Sequence, residues 1–405
     1  MSDETPTGRK NRQAARRWPR AACPWGLLGL LLALLLAGCR DGGQPEATAS
    51  DAAMHRANPA RTGVFETEGL AEYSAIKWQF PAEDWVFAAP AVLGDSVYAV
   101  SYDGNVYALD RETGAERWRF KTGQPIIAAP AAADGLVFVA GMDGNVYALD
   151  AAGGAERWRV TLGSGAAGDG ITGSPAVVSD TIYVAGESGL LLALDTATGE
   201  ERWRFQKEAQ SIAFSPAIAG GTLYVGVADG LLYALDAATG AEQWTFDPVG
   251  EQAERYSPTA DVVAGDGVVY YTTVDHNLAG QLFAVDTTSH EARWVYQTDT
   301  ENFSAPSLAG DLLIWGGLDK SIHAINAATG EPAWDFATGD IVFTAPAVAG
   351  DLVYVGGADK NLYALNAADG QVRWQFRADS GVSSATIADG ELFVGTERGV
   401  LYALQ

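Results

Sequence analysis

From about residue 73 onward the chain is a succession of short apolar runs separated by turn residues, and the runs return with a period near forty residues. Four runs fall in each period. Helical repeats of that length would carry apolar residues every three or four positions, so the pattern predicts four short strands per unit, a propeller blade. In one unit the spacing predicts strand A over 126–132, strand B over 136–140, strand C over 145–149 and strand D over 156–160. Asp143-Gly144 reads as the hairpin between B and C, and Gly153-Gly154 as the one between C and D.

The clearest copy of the unit runs from Asp103-Gly104-Asn105 through Ala108-Leu109-Asp110 to Thr113-Gly114-Ala115-Glu116-Arg117-Trp118. Its strand-C end recurs at Asp110, Asp150, Asp195, Asp236, Asp286, Asn326, Asn366 and Gln405. Its tryptophan recurs at Trp78, Trp118, Trp158, Trp203, Trp244, Trp294, Trp334 and Trp374. Eight copies predict an all-β, eight-bladed β-propeller of four-stranded antiparallel blades over 73–405. The repeats open on a strand D (76–80) and close on a strand C (400–404), so the first strand is expected to complete the last blade and leave no open seam.

An alanine follows the strand-C aromatic position in every copy, from Ala108 to Ala403. A residue so small is expected to let a neighbouring blade bring its indole close, each buried tryptophan contributing on the order of 2 to 3 kcal/mol. Glycine at the C–D turn supplies positive φ at little cost. Blade five carries Ser289-His290 there, which predicts a strained or re-routed turn.

The run Ala108, Asp110, Thr113, Gly114, Glu116, Trp118 resembles the tryptophan-docking motif of the pyrroloquinoline-quinone-type propellers, with further good matches ending at Trp158, Trp203 and Trp244. That family includes quinoprotein dehydrogenases, extracytoplasmic sensor domains and the lipoprotein of the outer-membrane barrel-assembly machinery, and the lead-in over 54–63 is similar to the entry segment of its bacterial members. For dehydrogenase members the resemblance implies a quinone stacked on a ring formed by adjacent cysteines. The two cysteines here, Cys23 and Cys39, are not adjacent, and the chain is short for such enzymes.

The first 38 residues read as a leader. Arg9, Lys10, Arg12, Arg16, Arg17 and Arg20 precede an apolar run over 25–37, and Leu36-Ala37-Gly38-Cys39 resembles a lipobox, which predicts cleavage before Cys39 and lipidation of its thiol. Residues 39–53 then form a flexible tether and 54–72 a lead-in, with Arg56 and Arg61 expected to lie against an acidic body. The placement that follows is extracytoplasmic and membrane-anchored: the periplasmic face of an outer membrane, or the outer leaflet where there is one membrane.

The formal net charge is -25, from 26 basic and 51 acidic residues, and the leader holds six of the basic ones. So acidic a body repels nucleic acid and anionic headgroups, so membrane contact is assigned to the lipid. The Asp-Gly pairs at Asp103, Asp143 and Asp229 read as type I′ turn formers and not as a calcium ring, because no loop alternates oxygen ligands at close spacing.

Variation between repeats points to one face. The D–A and B–C loops share that face, and the added length falls there around blades three to five. The B–C turns of blades six to eight carry Lys320, Lys360 and Arg398 in place of the glycine or neutral residue of earlier blades. Trp85, Phe87, Phe214, Tyr256, Phe303 and Phe343 are expected as aromatic contacts near the pore mouth, with His276 in the blade-five insertion facing the same side. Catalytic candidates are absent from this reading. The function expected is that of a monomeric, lipid-anchored, non-enzymatic scaffold for envelope proteins, without a cofactor or metal. The alternative is a quinone-binding oxidoreductase, with pyrroloquinoline quinone and calcium, or a small-ligand sensor.

Overall fold

The computed structural model describes residues 53–163, 169–208, 210–250, 256–275, 277–298, 300 and 304–405. Cys39 and residues 1–38, read above as a leader, lie outside them with His276 and Phe303, as do parts of the longer loops of blades three to five. The described residues form eight antiparallel sheets and no helix. Blade one consists of strands A (Ala91–Leu93), B (Ser96–Val100), C (Asn105–Asp110) and D (Glu116–Lys121), and the next six repeat this order. Blade five gains a two-residue strand, Ser257–Pro258, paired with the end of its strand B. In blade eight the strand Ile76–Pro81 pairs with Val400–Leu404, so the first and last strands of the propeller share one sheet.

In blades one to seven the inner strands are shorter than the sequence pattern predicts. In blade two, strand A is only Ala131–Ala133, because Pro130 offers no N–H and the residues before it line the channel instead of a ladder. The B–C hairpins also differ from the type I′ expectation. Gly104 has φ 82° while Asp103 stays at negative φ, and Gly104 N–H donates to Ser101 O at 2.9 Å. That is a four-residue turn closed by a left-handed glycine. The aspartate works as a hydrogen-bond hub: Asp103 accepts from Asn105 N (2.7 Å), Glu83 N (3.0 Å) and the Tyr107 hydroxyl (2.7 Å), joining the turn, the D–A loop and strand C.

Tryptophan docking explains the motif. Trp118 lies across Ala108 of its own blade, its cross-strand partner, and the same pairing recurs in all eight copies from Ala403 opposite Trp78 to Ala364 opposite Trp374. The alanine therefore makes room for its own blade's ring. The neighbouring blade contributes the glycine: a Cβ at Gly154 would stand 2.7 Å from Trp118, which is why the turn has none. The indole N–H then donates to a carbonyl of that turn, Trp118 Nε1 to Ala151 O at 2.9 Å and Trp203 Nε1 to Ala237 O at 2.9 Å.

The lead-in runs round one face, where the A–B turns lie, and covers the exposed edges of the inner strands. Ala132, Ile218, Ala264, Leu308 and Val348 donate backbone N–H groups to the carbonyls of Ala53, Pro59, Ala60, Thr62 and Gly63. Gly390 of blade eight donates to Glu68 O, and Trp374 docks on Leu70 O at 2.7 Å, so the lead-in stands in for the turn of a following blade. Inner-strand edges that would otherwise present unpaired amides are thereby sealed.

Candidate functional site: a funnel in the central channel

Because the lead-in closes one end of the central channel, the channel becomes a funnel open on the face of the D–A and B–C loops. Its cavity measures about 740 Å³. One residue per blade, just before the proline that leads into strand A or at the corresponding position in blades five and eight, forms a ring: Ala89, Ala129, Ser174, Ser215, Asp261, Ala305, Ala345 and Ser384. Small side chains keep the lumen open. Four members form a ladder of three bonds in which Ala129 N–H donates to Ser174 Oγ (3.0 Å), Ser174 N–H to Ser215 Oγ (2.9 Å) and Ser215 N–H to Asp261 Oδ1 (2.8 Å). Asp261 thus takes over a serine's structural bond and keeps a second oxygen for the floor.

That oxygen meets His55 Nε2 at 2.9 Å. Behind the pair, Arg61 is fully buried and donates to His55 O (2.8 Å), Ser174 O (2.8 Å), Pro175 O (3.0 Å) and Pro216 O (3.2 Å). Arg56 donates to Pro306 O and to Ser307 Oγ (2.9 Å). Both arginines were expected to lie against an acidic body. They instead enter the channel and satisfy carbonyls that the ring geometry leaves without partners. Burial pushes both guanidinium groups down to about 10, and they stay charged at neutral pH. Burial also lowers the His55 imidazole against the opposing pull of Asp261. Burial works to raise the Asp261 carboxyl, but His55 and the two arginines outweigh it and hold the group well below the usual carboxylate range.

The wall above this floor is apolar. Phe87, Phe214 and Phe343 line it with Ile127, Leu318 and Ile341. Phe87 and Phe343 stack with centroids 5.9 Å apart and ring planes 3° from parallel, and Phe87 is 43% exposed. Trp85 is 47% exposed at the rim and contacts Tyr102 at 6.0 Å. Tyr256 stands apart from the cavity, where its hydroxyl accepts from Gln281 Nε2 at 3.2 Å. Lys320 and Lys360 occupy the left-handed glycine position of their turns (φ 68° and 76°), whereas Arg398 stands at the aspartate position, with Gly399 kept beside it. Lys320 pairs with Asp340 at 3.0 Å, and Lys360 and Arg398 have no ion-pair partner among the described residues. Sequence reasoning missed Ile127, Leu318, Ile341 and the His55–Asp261 floor. The readable signal was Asp261 itself, the single acid at a position that is otherwise alanine or serine.

A family model described as outer membrane protein assembly factor BamB matches residues 72–161, 142–318 and 300–405. The chain belongs to the BamB family. Among solved structures it is similar to BamB from Moraxella catarrhalis, with 23% identity and a TM-score of 0.67 over 82% of this chain and 99% of that one. It is also similar to quinohemoprotein alcohol dehydrogenase from Comamonas testosteroni, with 17% identity and a TM-score of 0.75 over 88% and 81% of the two chains. The europium-containing methanol dehydrogenase gives 16% identity and a TM-score of 0.69 over 85% and 89%. At these identities the likenesses speak to the fold. No curated protein matches the chain in sequence.

Proposed function

We propose that this BamB-family protein is a non-enzymatic, lipid-anchored scaffold of the cell envelope that binds protein partners of outer-membrane assembly through the open face of its funnel. The observation that carries the reading is the exposed aromatic rim. An acidic body presents Trp85 and the Phe87–Phe343 stack at the mouth of an apolar cavity, on loops held by a rigid ring. Lys360 and Arg398 beside that rim supply local positive charge for an acidic partner surface. Cys39 supplies the anchor in this reading, so Cys39→Ala moves the protein from the membrane fraction to the soluble one.

The quinone alternative draws on the cavity and on the dehydrogenases that share the fold. Pyrroloquinoline quinone carries three carboxylates. The described lining offers it Asp261 and Glu397 and neither lysine nor arginine, a poor match in charge, so no redox step is assigned to the cavity. The test is co-purification from detergent-solubilised native membranes with wild type and with Trp85→Ser/Phe87→Ser/Phe343→Ser. Loss of specific partners from a variant that unfolds at the wild-type temperature supports the scaffold. An unchanged partner set contradicts it.

A further inference from the structure

The joint between blades four and five departs from the docking rule. In the turn that receives Trp244, His290 takes the glycine position at φ 61°. Its ring lies under the indole, 4.7 Å between centroids and 17° between planes, where every other blade-to-blade turn offers a bare glycine backbone. Trp244 keeps its place in its own blade, 5.8 Å from Tyr224, against 5.9 Å for the corresponding pair Tyr183–Trp203. The imidazole is therefore a spacer that holds blade five's turn away. Two bonds are lost with the distance. In the preceding joint, Ala237 O accepts both Trp203 Nε1 (2.9 Å) and the Tyr183 hydroxyl (3.0 Å). Its counterpart Thr287 O accepts neither Trp244 Nε1 nor the Tyr224 hydroxyl, and Trp244 Nε1 has no acceptor among the described residues.

The result is a cleft of about 340 Å³ between the two blades, on the face of the A–B turns and away from the funnel. We propose that this cleft is a binding site for one neutral saccharide unit. Its lining holds Thr287, whose carbonyl accepts neither of the two bonds that Ala237 O accepts, Trp244, whose Nε1 has no acceptor among the described residues, and Thr222, whose hydroxyl donates to Gln243 Oε1 at 3.1 Å. A pyranose ring carries hydroxyls that donate and accept around its edge, and so suits both the carbonyl and the indole N–H. Tyr224 and Val268, both largely buried, contribute to the apolar part of the cleft's lining. The volume lies at the low end of small-molecule sites, in keeping with a single ring and not an extended ligand. Where other blades put arginine on this strand D, as at Arg117 and Arg202, Gln243 leaves the wall uncharged, and Asp266 turns anions away.

The test uses the whole propeller and three probes, glucose, N-acetylglucosamine and cellobiose, followed by saturation-transfer NMR at sugar concentrations up to about 20 mM. His290→Gly lets Trp244 settle on Thr287 O and closes the cleft; Gln243→Ala removes one wall contact and leaves the joint as it is. At least one sugar binds the wild type, and each variant, folded by its thermal transition, weakens that binding by about tenfold or more. No transfer to any of the three sugars overturns the proposal, and so does binding that survives His290→Gly unchanged.

Discussion

Arg61 shows what one side chain does when four backbone carbonyls converge on it from the lead-in and two blades. Removing it strips four carbonyls of their buried donor, so Arg61→Ala is expected to lower stability by about 3 kcal/mol, read by urea denaturation. His55 gives the floor a pH dependence with a definite sign. Its folded pKa lies below its unfolded value of about 6.5, so its contribution is present above that pH and is lost as pH falls through the folded value. Asp261, depressed in the fold, adds a second loss only below the ordinary carboxylate range near 4. The urea midpoint should therefore fall between pH 7.5 and about 5, and His55→Gln, which retains a donor for Asp261, should flatten that decline. None of this floor was legible as a unit, because His55 and Asp261 are 206 residues apart and only the course of the lead-in brings them together.

At the level of the element, the turn glycines are the best test of how blades join. A Cβ at Gly240 would stand 2.5 Å from the Trp203 ring, at φ 72°, so Gly240→Ala combines a clash with backbone strain. A loss of about 2 to 3 kcal/mol is expected by denaturation, whereas His290→Ala, at a joint already spaced apart, should cost little. Strands B, C and D of a blade could be read from the sequence nearly to the residue, since each is bounded by a turn with its own glycine or aspartate. Strand A could not. Its edge is held by the lead-in and its first half by the channel, and neither leaves a local signature. The Ser289-His290 departure was legible as a disturbed turn, but the cleft it opens depends on the position of an indole from another blade.

Across the whole molecule, closure and charge oppose each other. The strand Ile76–Pro81 ties the propeller's first strand to its last blade, reinforced by Lys77 bonded to Glu391 and Glu112, and by Arg111 bonded to Glu391 (2.7 Å) and Asp389 (3.0 Å). Against this works a net charge of -25, whose self-repulsion salt screens. Thermal midpoints should therefore rise between about 10 mM and 500 mM sodium chloride, although the individual surface pairs weaken. The eight-fold architecture was fully legible because the repeat carried it. The funnel was legible only in its rim, where Phe87, Phe214 and Phe343 converge, and not in its depth. The most direct measurement places a photo-crosslinking benzoylphenylalanine at position 343 on the open rim, or at Asp351 in the same blade on the opposite face, in cells making the full chain. Crosslinks to envelope proteins from position 343 and none from position 351 are the result predicted here; partners captured from position 351 alone would contradict recognition by the funnel face.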